Sequence, residues 1–203
     1  MEIEPLPVDK SRKTLGIWTN PAGNCSRQLE AFTARLTTWT DRLCAGKLLS
    51  RWAWFHQLWP GLDYGLGVNS SPVEDLENHE DKGGLLRRVY RRILPYLGIN
   101  KKIKAGWRHL HTTFGGIGLR KLLFEGGISC LNLFLQHYDT PSTLGQKLNI
   151  LLQAMQLEAG TVGCPLLTSY RPIGPLTTPC WCRSVWEGLD HYDFSFHLDS
   201  PHH

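Results

Sequence analysis

The sequence predicts a mainly α-helical protein that begins with one short strand and ends in an irregular tail. Three observations predict it. Apolar residues recur at helical spacing through most of the span from Ser26 to Gly160. Two helix-start signals, at Ser71 and Thr143, stand where such runs begin. Pro and Cys gather after Thr161, where no period holds. The 203 residues are 41% hydrophobic and 20% charged, a globular balance that excludes wholesale disorder. That length suits one ordinary domain or two small ones and buries on the order of 70% of the unfolded surface.

KTLGIWT (13–19) reads as a strand ending in the turn NPAGN. A helix follows from Ser26 to Ala45, with Leu29, Phe32, Leu36, Trp39 and Leu43 on one side. After Gly46 an apolar-aromatic run passes through Trp52, Trp54, Phe55 and Leu58 to Pro60, and residues 60–69 read as a loop without a period. Ser71 caps the next helix, Pro72 suits its first position and Glu74 completes a capping box. Acidic residues fill its first turn and arginines its later turns, which complements the helix dipole, while Gly83-Gly84 loosens or breaks it midway. Its buried stripe is Leu85, Leu86, Val89, Tyr90, Ile93, Leu94 and Leu97. A basic connector (100–108) leads to the Gly-rich turn FGGIGL (114–119) and a helix to about Tyr138. Thr143 and Gln146 form a capping box for a helix that ends at Gly160, and the tail holds one helical piece around 184–189. Trp18, Trp39, Trp52, Trp54 and Trp59 read as packing residues, and Trp107 as a core anchor with stacking on a sugar or base as its alternative.

Charge is concentrated. Eleven of the 22 Lys and Arg lie between Lys82 and Lys121, a segment with no acidic residue, whereas both flanks are net acidic. Such a segment is an electrostatic footprint for a polyanion, and its plain alternative is a solvated helix face.

Catalytic constellations are absent from the pattern. Two-metal chemistry needs clustered carboxylates, and the adjacent acids Glu74-Asp75 and Glu80-Asp81 are explained by a helix first turn. Gly46-Lys47 lacks the rest of a phosphate-binding loop, and Gly115, Gly116 and Gly118 read as a tight turn with close backbone approach rather than a dinucleotide site. Cys180-Trp181-Cys182 has one intervening residue where zinc sites use two to four, so a metal held by Cys164, Cys180, Cys182 and His197 is the minor alternative to free thiols. His109 and His111 read as solvated or phosphate-facing. No cofactor is expected. Six irregularly spaced cysteines and an N-terminus without an apolar signal core predict an intracellular chain, nuclear or cytoplasmic, with no membrane partner.

The ordered motifs carry a resemblance. KTLGIWTNPAGN (Lys13–Asn24) resembles the segment that leaves the palm in reverse transcriptases of non-LTR, LINE-like retrotransposons. LEAFTARLTTWTDRL (29–43) and KLLSRWAWFHQLWPGLDYGL (47–66) are similar to the thumb helices of that family. FGGIGL resembles its downstream Gly-Gly-Leu-Gly-Leu turn, with Ile117 in place of a leucine, and FLQHYDTPSTLGQKL (134–148) resembles its post-thumb region. The resemblance covers roughly residues 13–189 and implies a palm-exit strand and turn (1–24), a thumb-like and post-thumb helical domain (25–160) and a Pro/Cys-rich tail (161–203).

The family's aromatic-x-Asp-Asp signature would fall upstream of Lys13 and is not in this chain, so the expectation is a piece of such an enzyme, from a truncated or decayed element, with no polymerase centre of its own. A thumb grips a primer–template duplex by its backbone and needs cations. Arg87, Arg88, Arg91 and Arg92, spaced i, i+1, i+4, i+5, lie on one side of a helix, and Lys101, Lys102, Lys104 and Arg108 extend the stripe. The implied partners are an RNA–DNA hybrid or DNA duplex and a separately encoded palm. The competing expectation is a non-functional or protein-interaction remnant.

Overall fold

The first two described strands pair with each other. Arg12–Thr14 (β1) pairs antiparallel with Ile17–Thr19 (β2), Arg12 opposite Thr19 and Thr14 opposite Ile17. The single strand expected over 13–19 is therefore a hairpin, with only two residues between its strands, one of them a glycine suited to a tight turn. The computed structural model describes Pro7 and residues 10–14, 17–20, 25–45, 59–68, 73–80, 84–96 and 98–195. Trp52, Trp54, Phe55, Leu58, Ser71, Pro72, Gly83, Leu97 and His197 lie outside them.

Helix α1 (Ser26–Cys44) buries Phe32, Leu36, Trp39 and Leu43 on the stripe that its spacing predicts. Its buried Gln28 accepts a hydrogen bond from the Trp18 N–H at 2.9 Å, which docks the hairpin. Helix α2 (Trp59–Leu66) occupies the stretch expected to be a loop. Gly61 and Gly65 read as breakers, yet Gly65 is where α1 comes close: a Cβ there would lie 2.8 Å from Gln28 Nε2 and 3.3 Å from Phe32 Cζ. Close helix contact, in which a larger residue would displace the Gln28 tip and press on Phe32, offsets the weak propensity.

Helices α3 (Val73–Glu80) and α4 (Leu85–Tyr96) divide the stretch with acids at one end and arginines at the other, Gly84 of the expected glycine break being non-helical. The break gives α4 its own N-terminus, so Arg87 and Arg88 stand in its first turn, where the dipole disfavours cations. Leu86, Val89, Tyr90, Ile93 and Leu94 are buried and meet α1. Gly98 (φ +72°) ends α4 in a Schellman motif, its N–H donating to Pro95 O at 3.0 Å and that of Ile99 to Leu94 O at 2.9 Å.

A short helix α5 (Ala105–His109) and a 3₁₀ turn (Thr112–Phe114) lead through the glycine turn to α6 (Leu122–His137) and α7 (Thr143–Ala159). The cap of α7 is Ser142, not Thr143: its Oγ accepts from the Gly145 N–H at 3.0 Å. Two 3₁₀ turns (Pro165–Leu167, Gly174–Leu176) precede α8 (Trp181–His191), which is longer than the piece expected at 184–189.

Two apolar clusters result. The first joins α1 to α4 and the start of α6; the second joins Cys130 and Phe134 of α6 to Leu148, Leu152 and Met155 of α7 and to Leu166, Tyr170, Val185 and Trp186 of the tail. Helix α6 belongs to both. The Cys130 thiol donates to Leu66 O at 3.4 Å, and Trp181 Nε1–H to Gly67 O at 3.0 Å. Burial pushes the Cys130 thiol up to about 12. Cys25, Cys130, Cys164, Cys180 and Cys182 are free thiols. No described helix is long and apolar enough to cross a membrane.

Candidate nucleic-acid interface

The apolar stripe of α4 decides where its arginines go. With Leu86, Val89, Tyr90, Ile93 and Leu94 turned inward, Arg88, Arg91 and Arg92 are exposed on the opposite side and Arg87 is half-buried on the flank. Arg92 Nη1 lies 3.3 Å from Asp41 Oδ1, with both side chains more than half exposed. Such a pair contributes roughly 0–1 kcal/mol and yields readily to a competing anion. Arg88 and Arg91 have no carboxylate partner among the described residues.

After the Schellman turn, Ile99 and Ile103 pack against the first core and hold the connector down. Asn100 Oδ1 accepts from the Lys102 N–H at 2.9 Å, and Asn100 O from the Ile103 N–H at 3.1 Å. Lys101, Lys102 and Lys104 face solvent from this braced segment.

Trp107 and Arg108 exchange the places expected of them. Trp107 is 51% exposed, whereas Arg108 is 8% exposed, its guanidinium carbon 5.4 Å from the centre of the Tyr90 ring. Arg108 therefore does not join the exposed cations; it anchors α5 against α4. His109 assists, its Nδ1 lying 2.8 Å from Leu119 O and its ring edge-on to Tyr90 at 5.9 Å.

The glycine turn folds back over α5. Ile117 N–H donates to Trp107 O at 3.0 Å, Gly118 N–H to Leu110 O at 3.0 Å and Leu119 N–H to Arg108 O at 2.9 Å. Gly115 and Gly118 adopt φ of +80° and +72°. This is the tight turn with close backbone approach that the sequence predicts. Phe114, for which the sequence suggested no role, stands 71% exposed at its start. Its signal in the sequence is a large aromatic directly before two glycines, in the segment without acids.

Elsewhere, Cys180 stands at the N-cap position of α8. A hydrogen bond from the Cys182 thiol, and then the N–H groups of Arg183 and Cys182, outweigh burial and pull its thiol down to about 6. Cys182 is fully buried and held well above the ordinary thiol range by donating that bond and by desolvation. Among the described residues no three His, Cys, Asp or Glu side chains converge as a metal site, and His197 of the expected set lies outside them. A separate, largely apolar cavity of about 240 Å³ is lined by Val68, Leu133, Leu144, Leu148, Leu151 and Trp181, with His137 and Lys147.

No family model matches the chain, and neither a curated protein nor a solved structure matches it.

Proposed function

We propose that this chain is a non-catalytic helical module, akin to the thumb and post-thumb region of a LINE-like reverse transcriptase, that grips the backbone of an RNA–DNA hybrid or DNA duplex. The observation that supports it is the run of exposed cations along α4 and its connector: Arg88, Arg91, Arg92, Lys101, Lys102 and Lys104, in a segment without a single acid. Guanidinium forks match phosphate oxygens bidentately, and backbone contacts carry no sequence preference. Binding is then indifferent to sequence and steeply weakened by salt.

The test is a salt titration of hybrid binding. Replacing Arg88, Arg91 and Arg92 together by Gln should flatten the log–log salt slope by about 2 to 3, at about 0.9 for each phosphate no longer neutralised. An unchanged slope, or no binding by either protein, overturns the reading.

A second reading, a protein-interaction remnant docking on a palm or another partner, is favoured by the exposed Leu144 and Leu151 that line the apolar cavity and by the exposed Ile150 and Leu157 of the same helix. A purified chain that sediments as a monomer at high concentration, and binds the hybrid, argues against it.

A further inference from the structure

We infer that Trp107 and Phe114 form a platform on which unpaired bases stack, so that the chain takes a single strand beside its duplex. The choice of a nucleic acid as occupant rests on the duplex reading above; the stacking itself rests on the geometry of this loop.

Large aromatic side chains are normally buried, and when exposed they are usually scattered singly. Here two stand open on one small motif, 51% and 71% exposed and seven residues apart in the chain. A side chain at Gly115, next to Phe114, would begin 4.0 Å from Trp107 Cζ3, so the indole lies along the turn that Phe114 opens. The support beneath is firm. Two backbone bonds tie the turn to α5 and a third ties it to Leu110 just after, and Gly116 approaches Leu110 so closely that a Cβ would meet its carbonyl oxygen at 2.0 Å. Arg108 and His109 pin α5 to Tyr90. A backbone held in place before binding leaves only the two side chains to order on stacking, which is the general advantage of a preorganised site.

The surroundings select the ligand. Lys101, Lys102 and Lys104 are exposed a few residues upstream, and the segment holds no carboxylate. Aromatic faces among cations complement a chain of bases on a phosphate backbone. Bases inside a duplex already stack on each other and show only their edges, so a side-chain ring reaches a base face only where the strand is unpaired or ends. The arginine face of α4 meets a backbone of either kind; the platform discriminates in favour of the open strand.

The experiment compares binding of the full chain to a blunt RNA–DNA hybrid and to the same hybrid with an unpaired overhang of about ten nucleotides, within the usual site size of such surfaces. Anisotropy reads affinity, and the wild type minus Trp107→Phe difference in tryptophan emission reads stacking at Trp107. Expected is a roughly tenfold preference for the overhang, lost in Trp107→Ala and in Phe114→Ala, retained in large part in Trp107→Phe, with blunt-hybrid affinity unchanged throughout. Both positions are exposed, so unaltered circular dichroism and melting temperature confirm that the variants fold. Equal affinity for the two ligands overturns this inference and leaves the duplex reading standing. Binding of a bare single strand that depends on Trp107, without binding of the blunt hybrid, overturns the duplex reading and upholds this one. A Trp107-dependent emission shift with anionic phosphatidylserine vesicles, and none with any oligonucleotide, assigns the platform to a membrane surface and overturns it.

Discussion

Replacing Gly116 by alanine adds one methyl group at a place that has no room for it. The new Cβ would lie 2.0 Å from Leu110 O and 2.5 Å from its carbonyl carbon, both backbone atoms that cannot swing aside. Carbon and carbonyl oxygen approach no closer than about 3.3 Å even in favourable contacts, so the turn must open by more than an ångström. The objection is steric rather than conformational, because the positive φ values belong to Gly115 and Gly118. Opening strains or breaks three backbone bonds, from Ile117, Gly118 and Leu119, and loosens Leu119, which is 2% exposed. At about 1 kcal/mol net per bond, with partial exposure of one leucine, the expected loss is about 2–4 kcal/mol. Urea unfolding followed by far-ultraviolet circular dichroism measures it. The control is Gly127→Ala in α6, where an added Cβ meets nothing within 4 Å and should stabilise by about 0.5–1 kcal/mol through helix propensity alone. If Gly116→Ala unfolds at the wild-type midpoint, the turn is not the rigid support described above.

Two further outcomes follow from single side chains. Arg88→Gln removes a cation from the first turn of α4 and should raise stability by about 0.3–1 kcal/mol in thermal melts while weakening hybrid binding, opposite signs that a purely structural arginine would not give. Cys180, with its thiol at about 6, should alkylate with iodoacetamide at a rate that rises from pH 5 to 7 and then levels, whereas an ordinary thiol keeps accelerating past pH 8; Cys182→Ala removes the donated bond and should move that inflection upward.

The helices with uninterrupted apolar spacing were legible in the sequence, and those built on close approach were not. Phe32, Leu36, Trp39 and Leu43 announce α1, and the stripe from Leu86 to Leu94 announces α4, because both bury a continuous face. Helix α2 hides its spacing of Trp59, Leu62 and Leu66 among glycines whose purpose is visible only once Phe32 lies against Gly65. The inversion of Trp107 and Arg108 has a similar origin. Neighbours on a five-residue helix point about 100° apart, so one of the two had to turn outward. Hydrophobicity ranks the indole first, but the space beside Tyr90 takes a flat cation whose hydrocarbon stem also packs. The tail was read as irregular and is short-turned, yet Leu166, Tyr170 and Trp186 sit at the centre of the second core, their partners Phe134 and Leu152 lying far away in sequence.

The position of the arginines bears on why they are there. A helix gains from cations in its last turn, and α4 carries none there; the exposed Arg88 stands in the first turn instead, at a disadvantage of about 0.3–1 kcal/mol. The pair between Arg92 and Asp41, open to solvent on both sides, returns little of this. Solubility would be served as well by scattered lysines and glutamates, which do not oppose the dipole. Meanwhile Arg108 has left the surface to lie on Tyr90. Arg88 outside, where it weakens its own helix, and Arg108 inside, where it lies on Tyr90, make a division that supports the proposed duplex-binding face and that the salt titration tests.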